Sequence, residues 1–255
     1  MQTWTYDGTF EGFLTLVFDC FEQKLFPDKI VRSSVLQSSL FPSDYISFTD
    51  EQRSKRVWAG LHKRISATSC QMLYYTYLSE IDDVESKILR YIKKVFESKV
   101  NNEYNFGDET VLLISKLSLK VSHEANRIRM FVRFQKTADN IYFASFDPQY
   151  NVLPLVIDHF ESRFADQQWI IYDTRRNYGF YYNLDETCEI NFSENPVNKK
   201  NGAINAEAMA ADEKEFQDLW RNYFSNLCIK ERINLKLHAK LLPRRYWKYL
   251  TEKQK

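Results

Sequence analysis

Six apolar residues near the start of the chain, Phe10, Phe13, Leu14, Val17, Phe18 and Phe21, recur at spacings that place them on one stripe of a helix. Trp4 to Tyr6 before them reads as a short strand, Asp7-Gly8 as a turn pair, and Thr9 as the cap whose hydroxyl opens the helix. Phe26-Pro27 ends it. From Lys29 to Asp50 short apolar pieces such as Ile30-Val31 and Tyr45 to Phe48 alternate with Ser- and Pro-containing turns, which predicts brief edge strands or loop. Helical spacing returns over Asp50–Ile65, Ala67–Ser79, Asp82–Lys99 and Asp108–Val121, with Ile88, Tyr91, Ile92 and Val95 as an inward face.

The period changes near Arg129. Met130–Gln135 alternates and is followed by Ile141–Phe146, which predicts a hairpin in which Arg129, Phe131 and Arg133 share one face. Pro148 to Phe164 carries a helix, and a second hairpin pairs Trp169–Asp173 with Gly179–Asn183 around Arg175-Arg176-Asn177. The order ββαββ most simply makes an antiparallel sheet with helices on one side. Ser193 to Asp212 is polar and reads as a loop, a lid or a connection, and Phe216, Leu219, Trp220, Tyr223, Phe224 and Leu227 then restart helical spacing. The expected fold is α+β, a single compact domain over 1–255. It combines a mainly helical N-terminal half (1–121), an antiparallel ββαββ sheet unit (122–192) and basic C-terminal helices (213–255).

Composition supports a substantial core, with 44% hydrophobic and 16% aromatic residues, while 6 Gly and 6 Pro leave little for long linkers. The formal net charge of +1 conceals an asymmetry: from Arg221 onward ten Lys or Arg face only Glu231 and Glu252, which makes that segment +8 and the remainder −7. Such a tail suits either a basic binding face or a solvated helix. Cys20, Cys70, Cys188 and Cys228 have no CxxC spacing, so neither zinc nor an iron–sulfur centre is signalled and reduced thiols are expected. The N-terminus lacks a basic start with an apolar core, and no run approaches the ~18 apolar residues of a membrane span, so a cytoplasmic protein without membrane contact is expected. No GxGxxG, GKS/T or GxSxG pattern occurs, and no cofactor is expected.

Ser122-His123-Glu124-Ala125-Asn126-Arg127 puts a His beside a Glu, but Arg127 stands where a zinc-protease helix needs its second His. His123 and Arg127, one turn apart, could clamp a phosphate, or Glu124 could hold Arg127 or Arg129 in an ion pair. Arg129, Arg133, Arg163, Arg175 and Arg176 suit a phosphate-gripping surface, and also an ordinary solvated sheet face. Among acidic residues, Asp7 is prominent by position, while Asp147 and Asp166 suit caps or turns.

The chain resembles a bacterial DNA-metabolism protein family, domain of unknown function 4130. The resemblance rests on Tyr6-Asp7-Gly8-Thr9-Phe10-Glu11-Gly12-Phe13, Ser122-His123-Glu124-Ala125-Asn126-Arg127 and Phe131-Val132-Arg133-Phe134. It continues through Asp147, Val152-Leu153-Pro154-Leu155, His159-Phe160, Arg163-Phe164-Ala165-Asp166-Gln167, Trp169-Ile170-Ile171-Tyr172-Asp173 and Arg176, Tyr178 and Gly179. It ends in Trp220, Tyr223-Phe224, Ile229, Arg232, Asn234 and Leu242-Pro243-Arg244-Arg245-Tyr246-Trp247. Where the family usually has His-Arg in its central motif, this chain has Asn126-Arg127. The resemblance implies a radical-SAM partner protein in DNA modification or repair, with this chain as the partner and not the radical enzyme, because it has no cysteine cluster.

Three functions follow as expectations. The first is an accessory that binds DNA, single-stranded or damaged, and delivers it to a partner enzyme. Arg127, Arg129, Arg133, Arg163, Arg175, Arg176, Arg232 and Arg244 would hold phosphates, and Tyr172, Tyr178 and Trp247 would stack on bases. The second is a base-excising or hydrolytic enzyme using Asp7, His123, Glu124 and Asp166 beside Tyr6. The third is a protein-interaction scaffold with an aromatic docking surface.

Overall fold

The computed structural model describes residues 2–32, 44–98, 103–192, 197, 204–205, 208–227, 229, 232 and 234–253. The chain divides into two compact units, Met1–Ser122 and His123–Lys255, with the division inside a long helix.

In the first unit, β1 (Thr3–Tyr6) is the central strand of a three-stranded sheet, parallel to β2 (Lys29–Arg32) on one side and to β3 (Tyr45–Ile46) on the other. Between β1 and β2 the chain crosses over through α1 (Phe10–Gln23), which Thr9 opens by accepting from the Gly12 N–H at 2.9 Å. The stripe foreseen for α1 divides: Phe13, Leu14 and Val17 are buried, whereas Phe10, Phe18 and Phe21 are half-buried. Asp19 is buried on α1 and accepts from Ser47 Oγ (2.7 Å), Tyr45 Oη (3.1 Å) and Arg53 Nη1 (2.7 Å), which ties in the chain after β3 and helix α2 (Glu51–His62). Helices α3 (Ala67–Tyr77) and α4 (Val84–Glu97) follow as their spacing predicts, with Ile88, Tyr91 and Ile92 of α4 buried.

Helix α5 runs from Glu109 to Phe131. It overruns the predicted first hairpin, because Ile114, Leu117, Val121, Ala125 and Ile128 continue one buried helical stripe. An alternating run of six residues cannot compete with that stripe. Only β4 (Gln135–Lys136) remains of the strand expected over Met130–Gln135, and Arg129 lies on a helix, not on a strand face beside Arg133.

The second unit carries a five-stranded sheet in sequence order: β4, β5 (Tyr142–Phe146), β6 (Trp169–Asp173), β7 (Tyr178–Tyr182) and β8 (Thr187–Ile190). It is mixed, not antiparallel as expected: β5 and β6 pair in parallel, because a 3-10 turn at Leu153–Leu155 and α6 (Ile157–Arg163) carry the chain back to the same end. The other pairs are antiparallel. Successive residues of β6 point to opposite faces. Trp169 meets Phe160 of α6 and Tyr182, while Tyr172 packs with Phe143, Val197 and Ile204, so both faces are covered. Much of the segment expected as a loop, Ser193 to Asp212, lies outside the described residues. After it come α7 (Glu213–Leu227), α8 (Leu235–Leu241) and 3-10 turns at Arg244–Tyr249 and Thr251–Lys253. The apolar face foreseen for α7 is largely exposed at Phe216, Leu219, Tyr223 and Leu227. No helix among the described residues is long and apolar enough to cross a membrane.

Candidate phosphate-binding cleft

The parallel pairing of β5 and β6 puts Phe146 opposite Asp173, so the loops leaving their C-terminal ends begin side by side. Asp173 builds the second loop. Its buried carboxylate accepts from the backbone N–H groups of Arg175 (2.8 Å) and Arg176 (3.1 Å) and from Arg176 Nη1 (2.9 Å). Burial raises the Asp173 pKa against the pull of the Arg176 guanidinium and these backbone donors. Arg176 reaches on to the carbonyls of Pro148 (3.3 Å) and Gln149 (3.2 Å), stapling the two loops together. Arg175 stays exposed at the rim and donates to the Gln149 carbonyl at 3.2 Å.

The opposite wall is the 3-10 turn at Arg244–Tyr249. Three residues per turn bring positions i and i+3 to the same side, so Arg245 and Lys248 project together. Glu124 anchors this segment: it is 1% exposed and accepts from Arg245 Nη2 at 2.6 Å, from the Tyr246 hydroxyl, and from the backbone N–H groups of Gln149 (3.0 Å) and Tyr150 (2.9 Å). Lys248 Nζ lies 3.1 Å from Asp147 and 4.8 Å from the centre of the Tyr249 ring. Burial lowers the Lys248 pKa, but its contacts with Tyr249 and Asp147 outweigh that and leave it raised, so the ammonium is charged at neutral pH. Thr174 Oγ1 meets Tyr249 Oη at 3.3 Å and closes the floor.

The two walls enclose a cleft of about 550 Å³ in which Arg175, Arg245 and Lys248 converge on Asp147, Thr174 and Tyr249. Arg175 at the rim, with Arg245 and Lys248 held by Glu124 and Asp147 and hydroxyls between them, makes a site suited to a phosphate or another small anion. It opens at the C-terminal ends of neighbouring parallel strands, the edge at which α/β sheets also gather ligands.

The remaining sequence-predicted residues fall elsewhere. Arg133 is held by Glu252 (2.7 and 3.3 Å) and lies over Trp220, Arg129 donates to Asn126 and the Leu155 carbonyl, and Arg127 donates to the Leu241 carbonyl at 3.0 Å. Tyr172 is fully buried in the sheet core, so it cannot offer a ring face to a base. Tyr178 bonds Asn151 through its hydroxyl. Arg163 and Arg232 are exposed and line none of the cleft. Arg244 and Trp247 share the other side of the 3-10 turn, with the Arg244 guanidinium 5.8 Å from the Trp247 ring centre. Arg245 and Lys248 carry the signal that was missed. It was present in the +8 tail, but only the 3-10 period reveals which cations face the cleft.

The predicted proton-transfer residues fall in both units, Asp7 in the first and His123, Glu124 and Asp166 in the second. His123 is exposed, Glu124 is saturated by donors, and Asp166 is exposed in the turn after α6. Among the described residues, no hydrogen bond or ion pair joins any two of these three. In the first unit, Asp7 accepts from Thr9 N (2.9 Å), Thr9 Oγ1 (2.8 Å) and Thr49 Oγ1 (2.6 Å). Burial alone would raise its pKa, but the Thr49 and Thr9 donors prevail and lower it, as suits a helix-start clamp. A Cβ at Gly12 would lie 2.1 Å from Asp7 Oδ1, so glycine is what admits the carboxylate there. Tyr6 donates to Glu85 at 2.9 Å inside a buried network with Tyr77 and Arg32. Among the described residues, no group of three His, Cys, Asp or Glu is placed to hold a metal ion.

The family model of a domain of unknown function, DUF4130, matches residues 82–252. The chain belongs to that family. Every residue of the cleft, from Asp147 to Tyr249, lies inside the DUF4130 match, whereas Asp7 and Gly12 lie outside it. No curated protein and no solved structure matches the chain significantly.

Proposed function

We propose that the second unit binds the sugar–phosphate backbone of DNA, with a phosphate seated between Arg175, Arg245 and Lys248. The observation that carries this reading is the convergence of the hairpin-tip arginine and two cations of the basic tail on one cleft. Tyr249 lines the same cleft and supplies a ring beside the phosphate position, the combination used by single-strand binders. Glu124, in this reading, positions Arg245 and does no chemistry. The chain would then act as an accessory in DNA metabolism that presents bound strand to a separate enzyme, and the radical-SAM protein implied by the family resemblance is the partner class we propose.

Arg175 and Arg163 are both exposed arginines of the second unit, but only Arg175 lines the cleft. Affinity for a labelled single-stranded oligonucleotide at low salt should fall about tenfold or more in Arg175→Glu and stay near wild type in Arg163→Glu. Equal losses in the two variants would reduce the effect to general surface charge, and no binding by the wild-type chain would end the reading.

A further inference from the structure

The first unit holds a second concave surface that the phosphate cleft does not use. Phe18 and Phe21 of α1, Phe26 after it and Phe96 near the end of α4 wall a groove of about 760 Å³ floored by Val57 and Gly60 of α2. Phe18 and Phe21 belong to the part of the α1 stripe that leaves the core. Phe21 stands perpendicular to Phe26 (90°, centroids 5.3 Å apart) and nearly so to Phe96 (79°, 5.3 Å). A Cβ on Gly60 would sit 3.3 Å from the Phe96 ring, so the glycine is what lets that ring approach α2.

Cations rim the groove. Lys24, Arg56, Lys63 and Arg64 line it beside a single acid, Glu97, which faces Lys93 at 3.9 Å. Arg64 is occupied with the Val95 (3.2 Å) and Phe96 (3.0 Å) carbonyls, and Arg56 lies over the Phe18 ring at 5.6 Å. Among the described residues, neither Lys24, Arg56 nor Lys63 has a carboxylate partner.

Two features decide what such a groove accepts. Its aromatic walls and its Val57 and Gly60 floor offer no polar side chain, so a nucleobase sunk between the rings would find hydrogen bonds for its edge only at the charged rim. The crossed rings also leave no parallel slot in which a base could stack. Bulky aliphatic or aromatic side chains need neither, and a ring of unpaired cations complements carboxylates beside them. We infer that this groove docks an acidic segment of a partner protein, whose bulky apolar side chains enter between Phe21, Phe26 and Phe96 while its Asp and Glu residues meet Lys24, Arg56 and Lys63.

The test is selection of a random twelve-residue peptide library on the full-length chain, followed by anisotropy titration of the enriched peptides. The expected result is enrichment of sequences that combine at least two bulky apolar residues with several Asp or Glu. Their affinity should fall at least about tenfold for an Arg56→Glu, Lys63→Glu variant, whose exposed positions leave the core intact, and also for Gly60→Leu, which fills the floor. A single-stranded oligonucleotide should not displace them. Failure of any sequence to enrich, enrichment without acidic residues, indifference to the charge reversal, or displacement by the oligonucleotide would each overturn the inference. Because no residue of the groove lies in the second unit, Arg175→Glu should leave peptide binding unchanged, which separates this result from the fate of the DNA-binding reading.

Discussion

Arg245 and Glu124 are 121 residues apart in the chain and 2.6 Å apart in space. The guanidinium is 40% exposed and the carboxylate 1%, so one end of the pair belongs to the cleft and the other to the core. Burial lowers the Arg245 pKa, but contacts with Tyr246 and Glu124 leave it raised, and the cation is permanent. The His-Glu pair that looks catalytic in sequence thus contains the anchor of the 3-10 segment that walls the cleft.

Removal of that anchor should cost stability before it costs anything else. Glu124→Ala strips the partner from Arg245 and Tyr246 and leaves the backbone N–H groups of Gln149 and the buried Tyr150 unmet. Urea unfolding should register a loss of about 1–3 kcal/mol, the cost of leaving donors without an acceptor. A variant as stable as wild type but devoid of function would instead restore a chemical role for Glu124.

Tyr172 gives the opposite contrast. Among the described residues its buried hydroxyl makes no hydrogen bond of good geometry, with the Phe192 backbone near it, so Tyr172→Phe removes a polar group that gains little from the fold. The unfolding midpoint should be unchanged or raised, with oligonucleotide affinity unaltered. A selective loss of affinity would return Tyr172 to the binding surface.

The Arg133–Glu252 pair predicts a pH dependence. Burial would raise the Glu252 pKa, but hydrogen bonds from Arg133 and Trp220 prevail and hold it below the usual glutamate value. In the unfolded chain this group titrates near about pH 4.3. Its contribution to stability is therefore complete above that pH and is lost as the pH falls through the lower folded value. Thermal unfolding of wild type and Glu252→Gln should differ at neutral pH and converge in acid once Glu252 is protonated in the folded chain as well. A gap that persists at low pH would contradict this.

The helices of the first unit were legible because α1, α2 and α3 open on the capping side chains Thr9, Asp50 and Ser66, and α4, which has no such cap, carries the inward stripe of Ile88, Tyr91 and Ile92. Short alternation was not decisive: Met130–Gln135 read as a strand, but most of it completes or follows a helix fixed by Val121, Ala125 and Ile128. The parallel β5–β6 pair was hidden because strand direction depends on where the chain returns after α6, not on composition. For the site, residue types were legible and orientations were not. Arg175 could be read as a hairpin tip, but its partners in the cleft depend on the 3-10 period that separates Arg245 and Lys248 from Arg244 and Trp247.

The central claim is that Arg175, Arg245 and Lys248 bind one phosphodiester backbone together. Each phosphate contact that is lost should lower the dependence of log affinity on log salt concentration by about one. The most direct measurement is that slope for wild type and for Arg175→Gln, Lys248→Gln, from oligonucleotide titrations across a range of salt. The account predicts a slope smaller by about one to two in the double variant, with weaker binding at every salt concentration. An unchanged slope with unchanged affinity would place nucleic acid elsewhere on the protein, or remove it altogether.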